Sequence, residues 1–365
     1  MTNKIKSLSL LALASLTTLS FGAEFGAKGK STEKIRINGR LHAQFESINT
    51  DYSSEADPHT VNEFIMRRVY LGAKGTLENG MSGEINANFA GSKGEGKLEK
   101  AIVKYSANDA LDLNFGYKKT PIGFEETTSS SKIKTVERSI ATRYFTEQLA
   151  LGARMTGVHA NGELDGGFYY DLSLTNPTQG TVGKNTGADE NVLAYSGRIG
   201  FEGSNDSFEY DLGAYAGSFS DIVKVGEEAT IYGLFGDFTF GIFSLTAEVM
   251  QAGLEGVKAG GSDADALGYY IMPALEVSDN FDIVLRYANI DSDGGEMVDL
   301  GETSRRAPTG TTESFNEADA YYIGGNWYVD GNNVKVTFGY ETASYETAGV
   351  NADVDSFRVR LQLLF

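Results

Sequence analysis

The chain alternates apolar and polar residues over a long series of segments, each about ten residues long. Because successive side chains of a β-strand point to opposite faces, each segment has one apolar and one polar face. The first segment alternates Ile35, Ile37, Gly39, Leu41, Ala43 and Phe45 with Arg36, Asn38, Arg40, His42, Gln44 and Glu46. About sixteen such segments occur, at residues 35–47, 62–77, 81–91, 97–106, 110–120, 148–160, 165–176, 191–202, 206–218, 228–240, 242–253, 266–277, 281–291, 318–329, 332–344 and 354–365.

Short polar turns and longer connections alternate between these segments. The turns lie at 78–80, 108–109, 161–163, 203–205, 278–280 and 330–331, and the turn near Gly241 lacks polar residues. The longer connections lie at 48–61, 121–147, 177–190, 254–265, 292–317 and 345–353. An even number of antiparallel strands, with short turns on one side and long loops on the other, is typical of outer-membrane barrels. We therefore predict an all-β fold, a transmembrane antiparallel β-barrel over residues 35–365.

The composition agrees with many strands joined by tight turns. The chain has 44 glycines, 19 tyrosines and 21 phenylalanines but only 5 prolines, and 41% of its residues are hydrophobic. The absence of cysteine excludes disulfides and thiolate metal sites. A net charge of −19 argues against a nucleic-acid partner.

The first 23 residues have the pattern of an export signal. Lys4 and Lys6 precede an apolar core at 7–20, and small residues follow at Gly22 and Ala23. That core is shorter than the roughly 18 residues that span a bilayer. We expect cleavage after Gly22 or Ala23, a short N-terminal segment at 24–34, and an outer-membrane location in a Gram-negative-type bacterium. A buried N-terminal helix is the alternative.

Closure of the sheet is required because lipid offers no hydrogen bonds to unpaired backbone groups. A sixteen-stranded barrel is too wide for side chains to fill, so it encloses water. The sequence therefore predicts a porin for passive diffusion of small hydrophilic solutes, surrounded by outer-membrane lipid. A structural or adhesive barrel with partner-binding loops is the alternative.

Catalytic and metal-binding motifs are weak. The histidines His42, His59 and His159 are dispersed, and no Ser-His-Asp arrangement is recognisable. The glycine-rich segment 91–97 has phosphate-loop spacing, but Leu98 stands where Ser or Thr should follow. We expect no enzyme activity, no cofactor and no metal site.

Strand parity also places charged side chains inside or outside the barrel. The inward basic candidates are Arg36, Arg40, Arg68, Lys100, Lys104, Lys118, Arg154, Arg198, Arg286, Lys335, Arg358 and Arg360. Most belong to the last strand and the first six, which become neighbours on closure, whereas inward acids are richer on strands seven to thirteen. A basic wall favours anions, although solvated side chains without selectivity are an equal alternative. Outer connections such as 292–317 are acidic and could offset the anion preference of the basic wall.

Arg67 occupies a position that the alternation of its strand assigns to the apolar face. It is expected at the lipid headgroups or at a subunit contact.

Two regions carry a family resemblance. Residues 64–72 with 75–77, and 116–125 with 128–131 and 137–139, make the chain similar to the phosphate-selective porin O/P family over roughly 35–180. The resemblance implies a sixteen-stranded homotrimeric pore whose third extracellular loop, here 121–147, folds inward as the constriction. The charges of this loop are balanced, which argues against strict phosphate selection: Glu125, Glu126, Glu137 and Glu147 against Lys132, Lys134, Arg138 and Arg143.

Overall fold

The computed structural model describes residues 32–77, 79–91, 94–177, 192–205, 207–220, 228–258 and 261–365. The predicted export signal at 1–23 lies outside the described residues, as do most of the segment 24–34 and of the connection 177–190.

Sixteen antiparallel strands form a closed barrel, which confirms the predicted fold class. The last strand pairs with the first, with Arg40 opposite Leu364, so the sheet has no free edge. The barrel strands are β1 (Thr32–Tyr52), β2 (His59–Leu77), β3 (Met81–Asn88), β4 (Lys97–Asn108), β5 (Leu111–Lys119), β6 (Arg154–Glu163), β7 (Phe168–Thr175), β8 (Ala194–Asn205), β9 (Phe208–Ser220), β10 (Glu228–Phe240), β11 (Phe243–Leu254), β12 (Ala264–Ser278), β13 (Phe281–Asp291), β16 (Glu317–Asp330), β17 (Val334–Thr347) and β18 (Val350–Leu364).

Two connections contain secondary structure of their own. The β5–β6 connection holds α1 (Phe124–Thr127), α2 (Ile140–Arg143) and a π-helix (Tyr144–Gln148). The β13–β16 connection holds α3 (Leu300–Thr303) and a two-stranded sheet of β14 (Val298–Asp299) and β15 (Ser314–Phe315). Among the described residues, no helix has the length and apolar character needed to cross a membrane.

The two faces of the barrel wall differ as the alternation predicts. Large apolar side chains point outward and are exposed, with Phe64 at 86%, Ile199 at 65% and Leu234 at 60%. An apolar surface of this extent is unsuited to water and suited to lipid. Charged side chains such as Lys335 and Arg360 are instead buried on the inner face.

Several predicted connections have different bounds in the structure. The loop expected at 345–353 is a tight hairpin, because Thr347 pairs with Val350 and Gly349 adopts a φ of +85°. The connection expected at 48–61 is also shorter, because β1 continues to Tyr52 and β2 begins at His59, which leaves only residues 53–58. The segment expected to start at 148 begins at Arg154. Residues 149–151 are apolar because they are buried within the connection, and this apolar pattern was wrongly assigned to a strand.

The turn between β10 and β11 lacks polar residues but forms through glycine. Phe240 pairs directly with Phe243, and Gly241 has a φ of +55°. This left-handed conformation carries little penalty only for glycine, so a tight turn forms without polar side chains.

Candidate channel and its charged lining

The connection between β5 and β6, residues 120–153, is named loop 3. Its side chains are largely buried, including the fully buried Ile122, Ile140 and Phe145. Charged members such as Glu137 and Arg143 are buried as well. A surface connection would leave its polar groups in water, so loop 3 must be packed against other parts of the protein.

Loop 3 is bonded to inner-face side chains far around the barrel. Arg198 of β8 donates to the carbonyl oxygen of Gly123 at 2.9 Å. The carboxylate of Glu248 on β11 accepts from the backbone N–H of Glu125 at 3.2 Å. Lys335 of β17 donates to the carbonyl oxygens of residues 131 and 133, at 3.0 and 3.1 Å. Loop 3 therefore contacts strands on the side of the barrel away from β5.

Arg286 of β13 links loop 3 to the opposite wall. Its Nη1 lies 3.3 Å from Glu125 Oε1 and donates to the carbonyl oxygen of Glu137 at 3.0 Å, while its Nη2 lies 2.5 Å from Glu341 Oε2. In the ring of sixteen strands β13 is diametrically opposite β5. The contacts of loop 3 thus extend across the full width of the barrel.

Glu137 binds three arginines from three different elements. Its carboxylate lies 2.7 Å from Arg67 Nε, 2.5 Å from Arg143 Nη2 and 2.8 Å from Arg360 Nη2. Burial alone would raise the pKa of Glu137, but the charges of Arg67, Arg360 and Arg143 outweigh burial and hold this pKa well below its ordinary value. Glu137 is therefore an anion at neutral pH, and it ties loop 3 to both β2 and β18.

The placement of Arg67 corrects the prediction from strand parity. The register of β1 and β2 shifts between His42 and Ala43, which pair with Arg68 and Met66, so Arg67 has no pairing partner across the strand. Such a β-bulge inserts one extra residue and redirects its side chain. Arg67 consequently reaches Glu137 on the inner face, where parity had placed it at headgroups or a subunit contact.

Two adjoining cavities run along the inner face near β1 to β6. Their volumes are about 740 and 510 Å³, and both are lined by Arg40, Tyr70, Glu99, Lys119 and Arg154. Nine basic and four acidic side chains line the larger cavity: Arg40, Arg67, Arg68, Lys97, Lys119, Arg138, Arg154, Arg305 and Arg306, with Glu99, Glu126, Glu147 and Glu302. Five basic and two acidic side chains line the smaller one. The open space near these strands is therefore positively charged.

Inner-face acids on the opposite wall are engaged by loop 3 or by neighbouring strands. Glu248 and Glu341 accept hydrogen bonds as described, and Asp282 accepts from the hydroxyl of Tyr328 at 2.8 Å and from the amide of Asn326 at 2.7 Å. A third cavity, of about 430 Å³, lies near the turns at 109 and 163 and is acidic, since five acidic and two basic side chains line it. The charge of the interior thus changes sign between these regions.

The basic residues proposed from sequence have three different environments. Arg40, Arg68, Lys100, Lys118 and Arg154 line one or both of the basic cavities. Lys104 is paired with Asp112 at 2.5 Å, and Arg358 and Arg360 are buried, next to Glu46 and Glu137 respectively. Arg36 is exposed, lies opposite Lys74 and lines neither basic cavity.

The charged residues of loop 3 divide in the same way. Glu126, Arg138 and Glu147 line the larger cavity, and Lys132 is exposed. Glu125, Glu137 and Arg143 are buried in ion pairs or hydrogen bonds, and Lys134 bonds to Ser244 of β11. The charges of this loop are therefore mostly paired, either within the loop or with residues of the barrel wall and loop 292–316, and the walls contribute more of the cavity charge.

Sequence reasoning missed several residues that line the larger cavity. Lys119 follows the candidate Lys118 directly but has the opposite parity. Ser129 and Ser130 of loop 3 accept hydrogen bonds from Arg40 at 3.1 and 2.5 Å. Arg305 and Arg306 were missed because they lie in the connection 292–317, which was judged acidic as a whole. They are the only basic residues in the sequence of that connection. Within the described part of the chain, no cluster of three or more acids and histidines could hold a metal ion.

Comparison with known proteins agrees with the barrel fold. The model of the family "Phosphate-selective porin O and P" matches residues 35–365. Porin O of Pseudomonas aeruginosa is 25% identical over 93% of this chain and 91% of its own length.

Two solved structures share the fold. The anion-selective porin from Comamonas acidovorans has a TM-score of 0.65 at 14% identity, over 91% of this chain and 99% of its own. The trimer form of OmpT from Vibrio cholerae has a TM-score of 0.54 at 13% identity, over 90% and 99%. Since the family model covers nearly all of the barrel, this chain belongs to the phosphate-selective porin O and P family and is an outer-membrane channel for small solutes.

Proposed function

We propose that this porin passes small hydrophilic anions by passive diffusion, and that the basic cavities along β1 to β6 determine its preference. The observation that carries the proposal is the excess of nine basic over four acidic side chains around the larger cavity. A confined opening lined by Arg and Lys raises the local concentration of anions and lowers that of cations. The names of the Comamonas porin and of the family point to the same class of solute.

Loop 3 has a second role in this proposal, as an inward-folded constriction. Its contacts with Arg198, Glu248, Arg286 and Lys335 support a position across the lumen, against β8 to β17. In that position it covers Glu248 and Glu341 and leaves the open path beside the basic strands. Anion preference then arises from the choice of wall that loop 3 occupies, although the chain as a whole carries a net charge of −19.

Reversal potentials in a potassium chloride gradient test the proposal. We expect the wild-type protein in planar bilayers to prefer chloride, and replacement of both Arg40 and Arg154 by glutamine to reduce that preference. A unit charge 10 Å from a passing ion changes the energy of that ion by about 0.4 kcal/mol in water before screening. Removal of each arginine should therefore lower the chloride-to-potassium permeability ratio roughly twofold at low salt. Arg36→Gln is the matched control, because Arg36 lines neither basic cavity.

A cation preference of the wild-type protein would refute the proposal. Equal effects of the Arg36 variant and the double variant would refute the assignment to the basic cavities. Addition of phosphate in the same experiment shows whether it competes with chloride for the path. Uptake of small solutes by liposomes separates a channel from a purely structural or adhesive barrel, which would admit none.

We also propose that the porin assembles as a homotrimer in outer-membrane lipid. The family and the trimer form of OmpT support this assembly. Cross-linking of protein extracted in mild detergent should produce a ladder that ends at three chains. If cross-linking yields only single chains, the proposed trimer is wrong.

The remaining expectations from sequence are proposals of the same kind. We infer that residues 1–23 are a cleaved export signal, with cleavage after Gly22 or Ala23. The fold and the family indicate a channel, and we propose that the chain has no catalytic activity.

A further inference from the structure

We propose that Arg305 and Arg306 form a positively charged outer entrance to the anion path. Both residues lie in an outer loop whose other charged residues are acidic. The inference rests on the proposed anion preference and assigns part of it to two residues of the β13–β16 connection. This connection, residues 292–316, is named loop 7. Its acids Asp293, Glu296, Asp299, Glu302 and Glu313 would by themselves attract cations.

Loop 7 is packed against loop 3. Val298, Leu300 and Phe315 are fully buried. The side-chain oxygen of Gln148 in loop 3 accepts from the backbone N–H of Asp299 at 3.1 Å. The hydroxyl of Tyr345 on β17 lies 2.8 Å from the hydroxyl of Thr303 and 2.6 Å from that of Ser304. The position of loop 7 over the larger cavity is therefore supported from both loop 3 and the barrel wall.

The backbone at the two arginines is held in an unusual conformation. Arg305 and Arg306 have φ values of 39° and 60°, in the left-handed region that residues other than glycine seldom adopt. Arg358 of β18 holds this turn, because its Nη2 donates to the carbonyl oxygens of Ser304 and Arg305, both at 3.0 Å. The backbone N–H of Arg306 donates to the carbonyl oxygen of Gly301 at 3.1 Å. Strained residues of this kind persist where the surroundings hold them and are frequent at functional sites.

The two arginine side chains line the larger cavity and remain partly open to it. Arg305 is paired with Glu147 and is 32% exposed, and Arg306 is paired with Glu46 and is 27% exposed. The purely structural arginines Arg143 and Arg286 are only 1% exposed. Arg305 and Arg306 are thus anchored by a carboxylate yet reachable by a passing solute.

The acids of loop 7 have the opposite placement. Glu302 lines the larger cavity, but the other four do not. Asp293 is 52% exposed and is paired with Lys258 of the β11–β12 connection at 2.7 Å. The fold of loop 7 therefore turns its two basic side chains toward the path and most of its acids away from it.

The double variant Arg305→Gln with Arg306→Gln tests the entrance. Lys258→Gln is the matched control, since it removes one positive charge from the outer connections without touching the cavity. We expect the double variant to lower the chloride-to-potassium permeability ratio two- to fourfold in 0.1 M salt, and less in 1 M salt, where charges are screened within about 3 Å. The control should leave the ratio unchanged.

A second experiment separates charge from loop structure. The chain has no cysteine, so Arg305→Cys introduces a unique thiol. The thiolate attacks a methanethiosulfonate reagent, forms a mixed disulfide and releases methanesulfinate. A trimethylammonium-ethyl reagent should restore the permeability ratio, and a sulfonato-ethyl reagent of similar size should lower it further. A loop that acted only by packing would respond equally to both reagents.

The outcomes distinguish this inference from the proposed function. If the wild-type protein prefers chloride but neither the glutamine pair nor the sign of the thiol label changes the ratio, the entrance is wrong and the proposed function stands. If the wild-type protein has no anion preference, both fail. If the double glutamine variant does not fold, two other proteins replace it. Arg306→Lys, which keeps the charge, should retain the wild-type permeability ratio, and the labelled Arg305→Cys protein should respond to the sign of its label.

Discussion

Replacement of Glu137 by glutamine is expected to destabilise the folded barrel by about 3–5 kcal/mol, the usual cost of removing one partner from a buried ion pair. Glu137 is the shared counter-charge of Arg67, Arg143 and Arg360, each within 2.8 Å of its carboxylate. Its loss would leave three largely buried guanidinium groups close together without the carboxylate that they share. Loop 3 would be displaced from β2 and β18, so the single-channel conductance should rise as well.

Guanidinium unfolding in lipid vesicles measures the loss of stability, and planar bilayers measure the conductance. Glu84→Gln is the matched control. Among the basic side chains that the structure describes, Glu84 forms an ion pair only with Lys100, and it is 19% exposed, so its loss should cost no more than about 1 kcal/mol. Equal effects of the two variants would contradict the central role of Glu137.

The pH dependence of the wild-type protein provides an independent readout. The folded pKa of Glu137 is depressed, so its contribution to stability is complete above the ordinary glutamate pKa of about 4.3. Below that pH the unfolded chain takes up a proton that the folded chain does not, and the contribution is lost as the pH falls toward the folded pKa. This part of the acid sensitivity should be absent from the glutamine variant.

Introduction of arginine at Leu234 is expected to cost about 2–4 kcal/mol, the cost measured for a charge on the lipid face at the bilayer midplane. Leu234 lies in the middle of β10, opposite Ala214 and Val249, and is 60% exposed on the outer face. In water an exposed leucine could be replaced by arginine at little cost. The penalty arises because the surrounding medium is hydrocarbon.

Leu275→Arg is the control for depth. Leu275 is also an exposed outward leucine, but it lies three residues from the end of β12, where an arginine should cost about 0–1 kcal/mol. The two variants are compared by guanidinium unfolding in vesicles of the same lipid. Equal costs at both positions would show that the outward face is not in contact with a lipid core.

The predictions that succeeded rest on local pattern. Outward residues such as Ile199 and inward residues such as Arg198 are neighbours in sequence, and the alternation of a strand sends them to opposite faces without help from the rest of the chain. The number of barrel strands and the antiparallel order follow from counting these segments and their turns. The same parity placed Arg40, Arg68 and Arg154 on the inner face, and all three line the larger cavity. Their role in lining the path of solutes stays a prediction.

The predictions that failed depend on contacts between distant segments. Arg67 has the parity of a lipid-facing residue, and only its register against β1 reveals the bulge that turns it inward. Residues 149–151 have the apolar character of a strand, and only the packing of loop 3 explains their burial. The ends of β17 and β18 continue to pair beyond the apolar region, so a predicted loop is a hairpin.

The sequence by itself determined the architecture, because the alternation of side chains along a strand is local and the need to satisfy every backbone group in lipid applies to every strand alike. Only the tertiary structure decided which charges face the open path. Loop 3 bonds to Glu248 and Arg286 more than a hundred residues away, and loop 7 brings Arg306 to Glu46 over a still longer separation. Such pairings depend on the closed ring of strands, which brings distant side chains together irrespective of their order along the chain.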